Sequence, residues 1–322
     1  MTAFILRRLL QTVVVIALLS FFCYYLMTLM PGDPVDEMIA ANPDITSADA
    51  ERLRKLHGLD QPAHVRYWNW ASMVLGGDLG YSRTYRVPVS EILGRSLFNT
   101  FVLAGAALVF SLLIAIPLGV WAALKKNSRA DYLINLFAFA GISVPSFWIA
   151  IVLILLFSVY LPIFPAGGTS SIAFGMTPWE SFTDRIRHLV LPVLSLSFLS
   201  IGTYVRYTRA AMIEAMGHDY IRTARAKGLS SNRILIMHGF RNALIPLITI
   251  TALSFSTLFS GAIITETVFA YEGVGRLVFQ SIQSNDFNVA MVAFMISVSM
   301  VLVMNLVADL LYGVADPRIS YS

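Results

Sequence analysis

The charged and small side chains that could act together in this chain gather in Asp219-Tyr220-Ile221-Arg222-Thr223-Ala224-Arg225-Ala226-Lys227-Gly228-Leu229, a polar run between two long apolar segments. Its pattern predicts a short helix. Asp219 can accept a bond from the amides that a first helical turn leaves unpaired. Residues 220–227 are mostly good helix formers, and Arg225 and Lys227 place positive charge on the last turn, where the helix dipole is negative. Gly228 supplies a stop, and Ser230 and Ser231 offer an N-cap to a second helix. At about 1.5 Å per residue the first helix is roughly 12 Å long, a plug and not a span. Tyr220, Thr223, Ala224 and Lys227 recur every three or four residues, so they share one stripe, with Arg222 and Arg225 flanking it. The competing reading, a basic cytoplasmic loop obeying the positive-inside bias, does not require a helix capped at both ends.

Covalent chemistry finds less support in the residues. No Gly-x-x-x-x-Gly-Lys-Ser/Thr phosphate loop occurs, so the chain lacks the usual means to cradle and hydrolyse ATP. The histidines at 57, 64, 188, 218 and 238 form no i, i+4 pair and no His-Glu-x-x-His, which leaves a metal site without a sequence basis. Neither Ser-x-x-Lys nor Gly-x-Ser-x-Gly appears, so an intramembrane enzyme would have to rest on the acids Glu266 and Asp309. Cys23 is the only cysteine and sits in an apolar run, which excludes an intrachain disulfide and argues against a thiolate cluster.

The elements that must position the plug are membrane helices. Of the 322 residues, 57% are hydrophobic and 13% charged, where a soluble domain carries about 25% charged. The net charge of +4 is scattered through loops with no aromatic-interleaved patch, so nucleic-acid binding has little support. Arg7 and Arg8 precede a first span, Leu9 to Met30, too long for the apolar core of a cleavable signal peptide. Residues 31–98 form a small extracytoplasmic domain. It opens on Pro31-Gly32-Asp33-Pro34. One helix is predicted from a Ser47 cap to about His57, and another from Pro62 to Leu75 before Gly76-Gly77. Tyr67, Trp68 and Trp70 on the latter either pack locally or lie at the membrane surface.

The second span, Thr100 to Leu124, ends at Lys125, Lys126 and Arg129. The third, Tyr132 to Ile163, is too long for one straight crossing, and Gly141 and Pro145 can break it. A polar connector then runs to about Arg187. The fourth span runs from near His188 to Arg209, with Arg206 and Arg209 on one face of its inner end, where they snorkel to headgroups or serve a gate. The fifth, Ala243 to Phe269, carries Glu266 near its far end; an acid at that depth is a transport candidate by its cost, with pairing to Arg276 as the alternative. The sixth, Val289 to Tyr312, carries Asp309, and Asp316-Pro317-Arg318 closes the chain. The expected fold is an all-α polytopic membrane protein of six transmembrane helices: an N-terminal helix (1–30), the extracytoplasmic domain (31–98) and a five-helix core (99–322). Both termini and the helix between the fourth and fifth spans then lie in the cytoplasm.

The plug resembles the cytoplasmic coupling loop of ABC importer permeases, in particular the dipeptide, oligopeptide and nickel group. In the importer motif Glu-Ala-Ala, three residues, Gly, the glycine corresponds to Gly228, which places Arg222, Thr223 and Ala224 at the Glu-Ala-Ala positions; His238-Gly239-Phe240-Arg241 and Asn242-Ala243-Leu244-Ile245-Pro246 follow. Two of those three positions depart from the general motif, and the departures look like the subgroup's own version. Gly58-Leu59-Asp60-Gln61-Pro62, Gly77-Asp78-Leu79-Gly80, Ser143-Val144-Pro145-Ser146-Phe147, Glu266-Thr267-Val268-Phe269 and Gly273-Val274-Gly275-Arg276-Leu277 carry the resemblance along nearly the whole chain. It implies a permease subunit in a bacterial inner membrane, with Asp219–Leu229 as the ATPase-coupling helix and di- or oligopeptides as substrate; nickel, glutathione, opines or short glycans are the alternatives. It further implies a paralogous permease, two ATPase subunits that hold ATP and Mg, and an extracytoplasmic solute-binding protein. A secondary transporter, to which the prolines at 117, 145, 192 and 246 are suited, is the rival from another class.

Overall fold

Apolar segments long enough to cross a bilayer can satisfy their own amides there as helices. The computed structural model accordingly shows a helical chain, describing residues 2–29, 35, 39, 46–56, 58–171 and 175–315. Pro31–Pro34, His57, the Asp309 side chain and Asp316–Arg318 lie outside the described residues. The chain divides into two compact units, Met1–Ser96 with Leu277–Ser299, and Leu97–Arg276 with Met300–Ser322.

In the first unit, α1 (Thr2–Thr28) is the apolar N-terminal helix, followed by α2 (Ser47–Leu56) and α3 (Ala63–Leu75). The cap of α2 is Thr46 and not Ser47. Thr46 Oγ1 accepts from the Asp49 amide at 3.3 Å, and Asp49 Oδ2 accepts in return from the Thr46 amide at 3.3 Å, a reciprocal box that needs its acid three residues after the cap. These bonds hold the Asp49 carboxyl below its usual range. Pro62 opens α3, and Gly76 ends it. A loop closed by the Tyr81–Pro88 bridge leads on to α4. The buried Asp286 pins this loop: its Oδ2 accepts from Ser82 Oγ at 2.6 Å and from the amides of Arg83 and Thr84 at 3.0 and 3.1 Å.

α4 runs from Val89 to Leu124, so the helix that contains the predicted second span, Thr100 to Leu124, starts eleven residues before it. Residues 89–99 interrupt the apolar run with Glu91 and Arg95, and the helix continues through them nonetheless. In the second unit the predicted third span is two helices, α5 (Arg129–Ser143) and α6 (Ser146–Ile154), the latter continuing as a π-helical stretch to Tyr160. The two meet at 98°. The physical cause is Pro145, which forces the preceding Val144 into the extended region, φ −87° and ψ 130°. α7 begins at Pro178 and not near His188, because Thr177 and Glu180 form a capping box that the polar-connector reading overlooked. It continues to Gly217 and packs against α5 at backbone contact: a Cβ on Gly202 would lie 2.4 Å from the Ala138 carbonyl oxygen. Leu103, Ala107, Ala150, Leu191, Leu196 and Phe269 belong to a buried apolar cluster of this unit.

α8 (Asp219–Ala226), α9 (Ser231–Arg233) with a π-helical turn to Phe240, and α10 (Arg241–Val268) complete the passage into the predicted fifth span. The short α11 (Val274–Gln283) was not anticipated, although its buried Val274, Leu277, Val278 and Ser281 recur at helical spacing. α12 (Phe287–Ala315) is the last helix. Four described helices are long and apolar enough to cross a membrane, and six crossings result if each of two bent pairs counts as one.

Candidate functional site

α7 ends where His218 turns extended, at φ −75° and ψ 155°, and α8 starts immediately after it. Asp219 is the first residue of α8 and does not cap it. Its carboxylate faces Arg222 Nη1 at 3.3 Å, an exposed pair of small energetic value. The far end is closed as the sequence suggests. Leu229 N donates to the Ala224 carbonyl at 3.3 Å and Gly228 N to the Arg225 carbonyl at 2.9 Å, the two bonds of a Schellman ending, with Gly228 at φ +76°.

The orientation of α8 differs from the predicted stripe. Ile221 and Ala224 are buried and pack with Ile234, bracketed by Met216 and Leu229. Ala224 therefore belongs to the loop's own core, because the returning chain after Gly228 brings Leu229 and Ile234 back beneath it. The outward face consists of Tyr220, Arg222, Thr223, Arg225, Ala226 and Lys227. The Tyr220 ring stacks on His218, with centroids 5.4 Å apart, and Thr223 Oγ1 returns its proton to the Asp219 carbonyl at 3.1 Å. Partial burial and the Glu214 carboxylate raise the Tyr220 phenol above its ordinary value, so it is neutral under physiological conditions. The arrangement is a small knob, apolar towards its own chain, with a neutral ring, two small residues and three bases presented outward.

Arg209 is engaged within the protein, and Arg206 is exposed beside an aromatic ring. Arg209 grips the buried Asp131 with both arms, Nε to Oδ1 at 2.6 Å and Nη2 to Oδ2 at 2.7 Å, and Arg206 lies over the Phe139 ring at 5.0 Å. Both arginines thus fasten α7 to α5. Sequence reasoning missed Asp131, and Ser128 three residues before it was the available signal, since Ser128 caps α5.

Glu266 is fully buried, and the Arg276 guanidinium donates to the Ala270 carbonyl. Glu266 Oε1 accepts from Thr100 Oγ1 at 2.6 Å and Oε2 from the Arg276 amide at 3.0 Å, while Thr100 Oγ1 accepts from the Val274 amide at 2.9 Å. The carboxylate caps α11 from a distance, where the helix dipole favours negative charge. Gly273 is required for that approach, since a Cβ there would lie 2.1 Å from Glu266 Cδ. Thr100 and Gly273 complete a group that sequence reasoning had reduced to the acid alone.

The comparisons with known proteins agree with this geometry. Residues 115–321 match the family described as "Binding-protein-dependent transport system inner membrane component", and residues 1–104 match its N-terminal companion. The chain is 38% identical, over all of both chains, to the oligopeptide transport system permease protein AppB of Bacillus subtilis (strain 168). It is 36% identical to the dipeptide transport system permease protein DppB of Escherichia coli (strain K12), covering 100% of this chain and 99% of that one. Its fold is similar to a chain of the MetNI methionine ABC transporter in inward-facing conformations, with a TM-score of 0.58 at 16% identity over 70% of this chain and 96% of that one. The chain belongs to the family of binding-protein-dependent transport system inner membrane components.

Proposed function

We propose that this protein is a membrane-spanning permease subunit of an ATP-driven, binding-protein-dependent importer of di- or oligopeptides. Full-length identity to peptide permeases carries this reading, and the outward knob of α8 gives it a mechanism. In the assembled transporter α8 seats in a groove on an ATPase subunit, Tyr220 and Thr223 make the close contact, and Arg222, Arg225 and Lys227 pair with acids at the rim. ATP and Mg bind to two ATPase subunits. A paralogous permease completes the pathway, and an extracytoplasmic protein delivers the solute. In this reading the bent pairs count as single crossings, the six spans put both termini on one side, and that side, with α8, is the cytoplasm.

The test is reconstitution of the chain in proteoliposomes with its paralogue, its ATPases and its binding protein, followed by uptake of labelled di- and oligopeptides. ATP-dependent peptide uptake is expected. Uptake of nickel, glutathione, opines or glycans in its place would reassign the substrate, and uptake driven by an ion gradient without ATP would overturn the importer reading.

A further inference from the structure

We propose that α3 is a membrane-seated helix, lying in the headgroup and upper acyl region of the leaflet in which α1 ends, with Trp68, Met73 and Leu75 against lipid. The inference rests on the reading of α1 as a membrane span. The apolar stretch Leu6–Thr28 is 23 residues long, and at about 1.5 Å per residue Ser20 lies roughly 12 Å inside its C-terminal end. That depth is below the headgroups of a bilayer whose hydrocarbon core is about 30 Å thick.

The Tyr67 side chain of α3 reaches down to that depth. The Tyr67 hydroxyl is 2.7 Å from Ser20 Oγ, and Ser20 Oγ donates to the Ala17 carbonyl at 2.9 Å, so the phenol is the donor of the first bond. A phenol in hydrocarbon must find such an internal partner, whereas in water it needs none. The Tyr67 ring stands edge-on to Phe21 with centroids 5.2 Å apart, and Tyr24 contacts both Tyr67 and Trp70 at 5.7 Å. The face of α3 turned towards α1 is thereby fixed within the apolar layer.

Its other face mixes large apolar side chains with small polar ones, as an interfacial position requires. Trp68 is 67% exposed, Met73 50% and Leu75 86%, with His64, Asn69 and Ser72 exposed among them. An indole at that level matches the enrichment of such rings at membrane interfaces.

The test uses the full chain, with Cys23 replaced, in nanodiscs of phosphatidylcholine and phosphatidylglycerol. Single nitroxide labels go at 68, 73 and 75, with controls at 18 in α1 and 78 beyond α3. Labels at 68, 73 and 75 are expected to collide with oxygen more than with a polar nickel chelate, as at 18 and opposite to 78. In parallel, acyl-brominated lipid should quench the native emission less in Trp68→Phe than in the parent. Preference for the chelate at 68, 73 and 75 while 18 prefers oxygen overturns the proposal. Shielding of those three from both reagents, with no Trp68-dependent quenching, also overturns it and points to a protein cover. Chelate preference at 18 overturns the span reading of α1 itself.

Discussion

A buried charge is tolerated where every one of its bonds is made, and Asp131 and Glu266 meet that condition in different ways. Asp131 is answered by a two-armed guanidinium, and Glu266 by a hydroxyl and an amide at a helix start. The arginine at 209 is thus a fastener. Replacing it in Arg209→Ala leaves Asp131 its bonds from the Asn127 amide and the Asn135 side chain but no counter-charge, a loss of about 3 kcal/mol, the low end for a broken buried pair. The expected result is a clearly lowered melting temperature of the detergent-purified chain. Most of it should return in the double variant Asp131→Asn with Arg209→Gln, which restores a neutral hydrogen-bonded pair. An unchanged melt in Arg209→Ala together with lost uptake would instead return Arg209 to a gating role.

At the scale of the element, α8 separates its two duties by face. Ile221 and Ala224 hold the loop together, and Tyr220 and Thr223 are free to meet a partner. Thr223→Trp should therefore leave the protease-sensitivity pattern of the chain unchanged and lower uptake in the assembled transporter by about tenfold, equivalent to about 1.4 kcal/mol of lost docking free energy. Ala224→Glu should act differently: it puts a charge between Ile221 and Ile234, so cleavage within 217–240 should increase before any assembly. Gly228→Val belongs with the latter, because a β-branched residue at φ +76° costs about 1–2 kcal/mol in the left-handed region. Parent-level uptake by Thr223→Trp would leave the outward face without a coupling role. The break between α5 and α6 follows the same logic at a larger size, since one proline dictates the direction of the residue before it.

For the whole molecule the first question is sidedness. Cysteines introduced at 78 and 227 in a chain lacking Cys23 should react oppositely with an impermeant maleimide added to intact cells, 78 strongly and 227 only after permeabilisation. Labelling of 227 from outside would invert the arrangement. What the sequence by itself determined was the material of the protein and much of its local punctuation. The apolar runs demanded helices, Gly228 ended α8, Pro62 opened α3 and Pro145 broke the third apolar run, because these are properties of a residue and its immediate neighbours. Helix starts at Val89 and Pro178 were missed where charged residues continue a helix past its apolar part. The tertiary structure alone decided which acid meets which base and which face of α8 is free. Asp131 and Arg209 lie 78 positions apart, and Thr100 and Glu266 lie 166 apart. No local spacing can encode such a meeting, since the free energy that selects it arises only when distant helices have packed and left each buried charge one available partner.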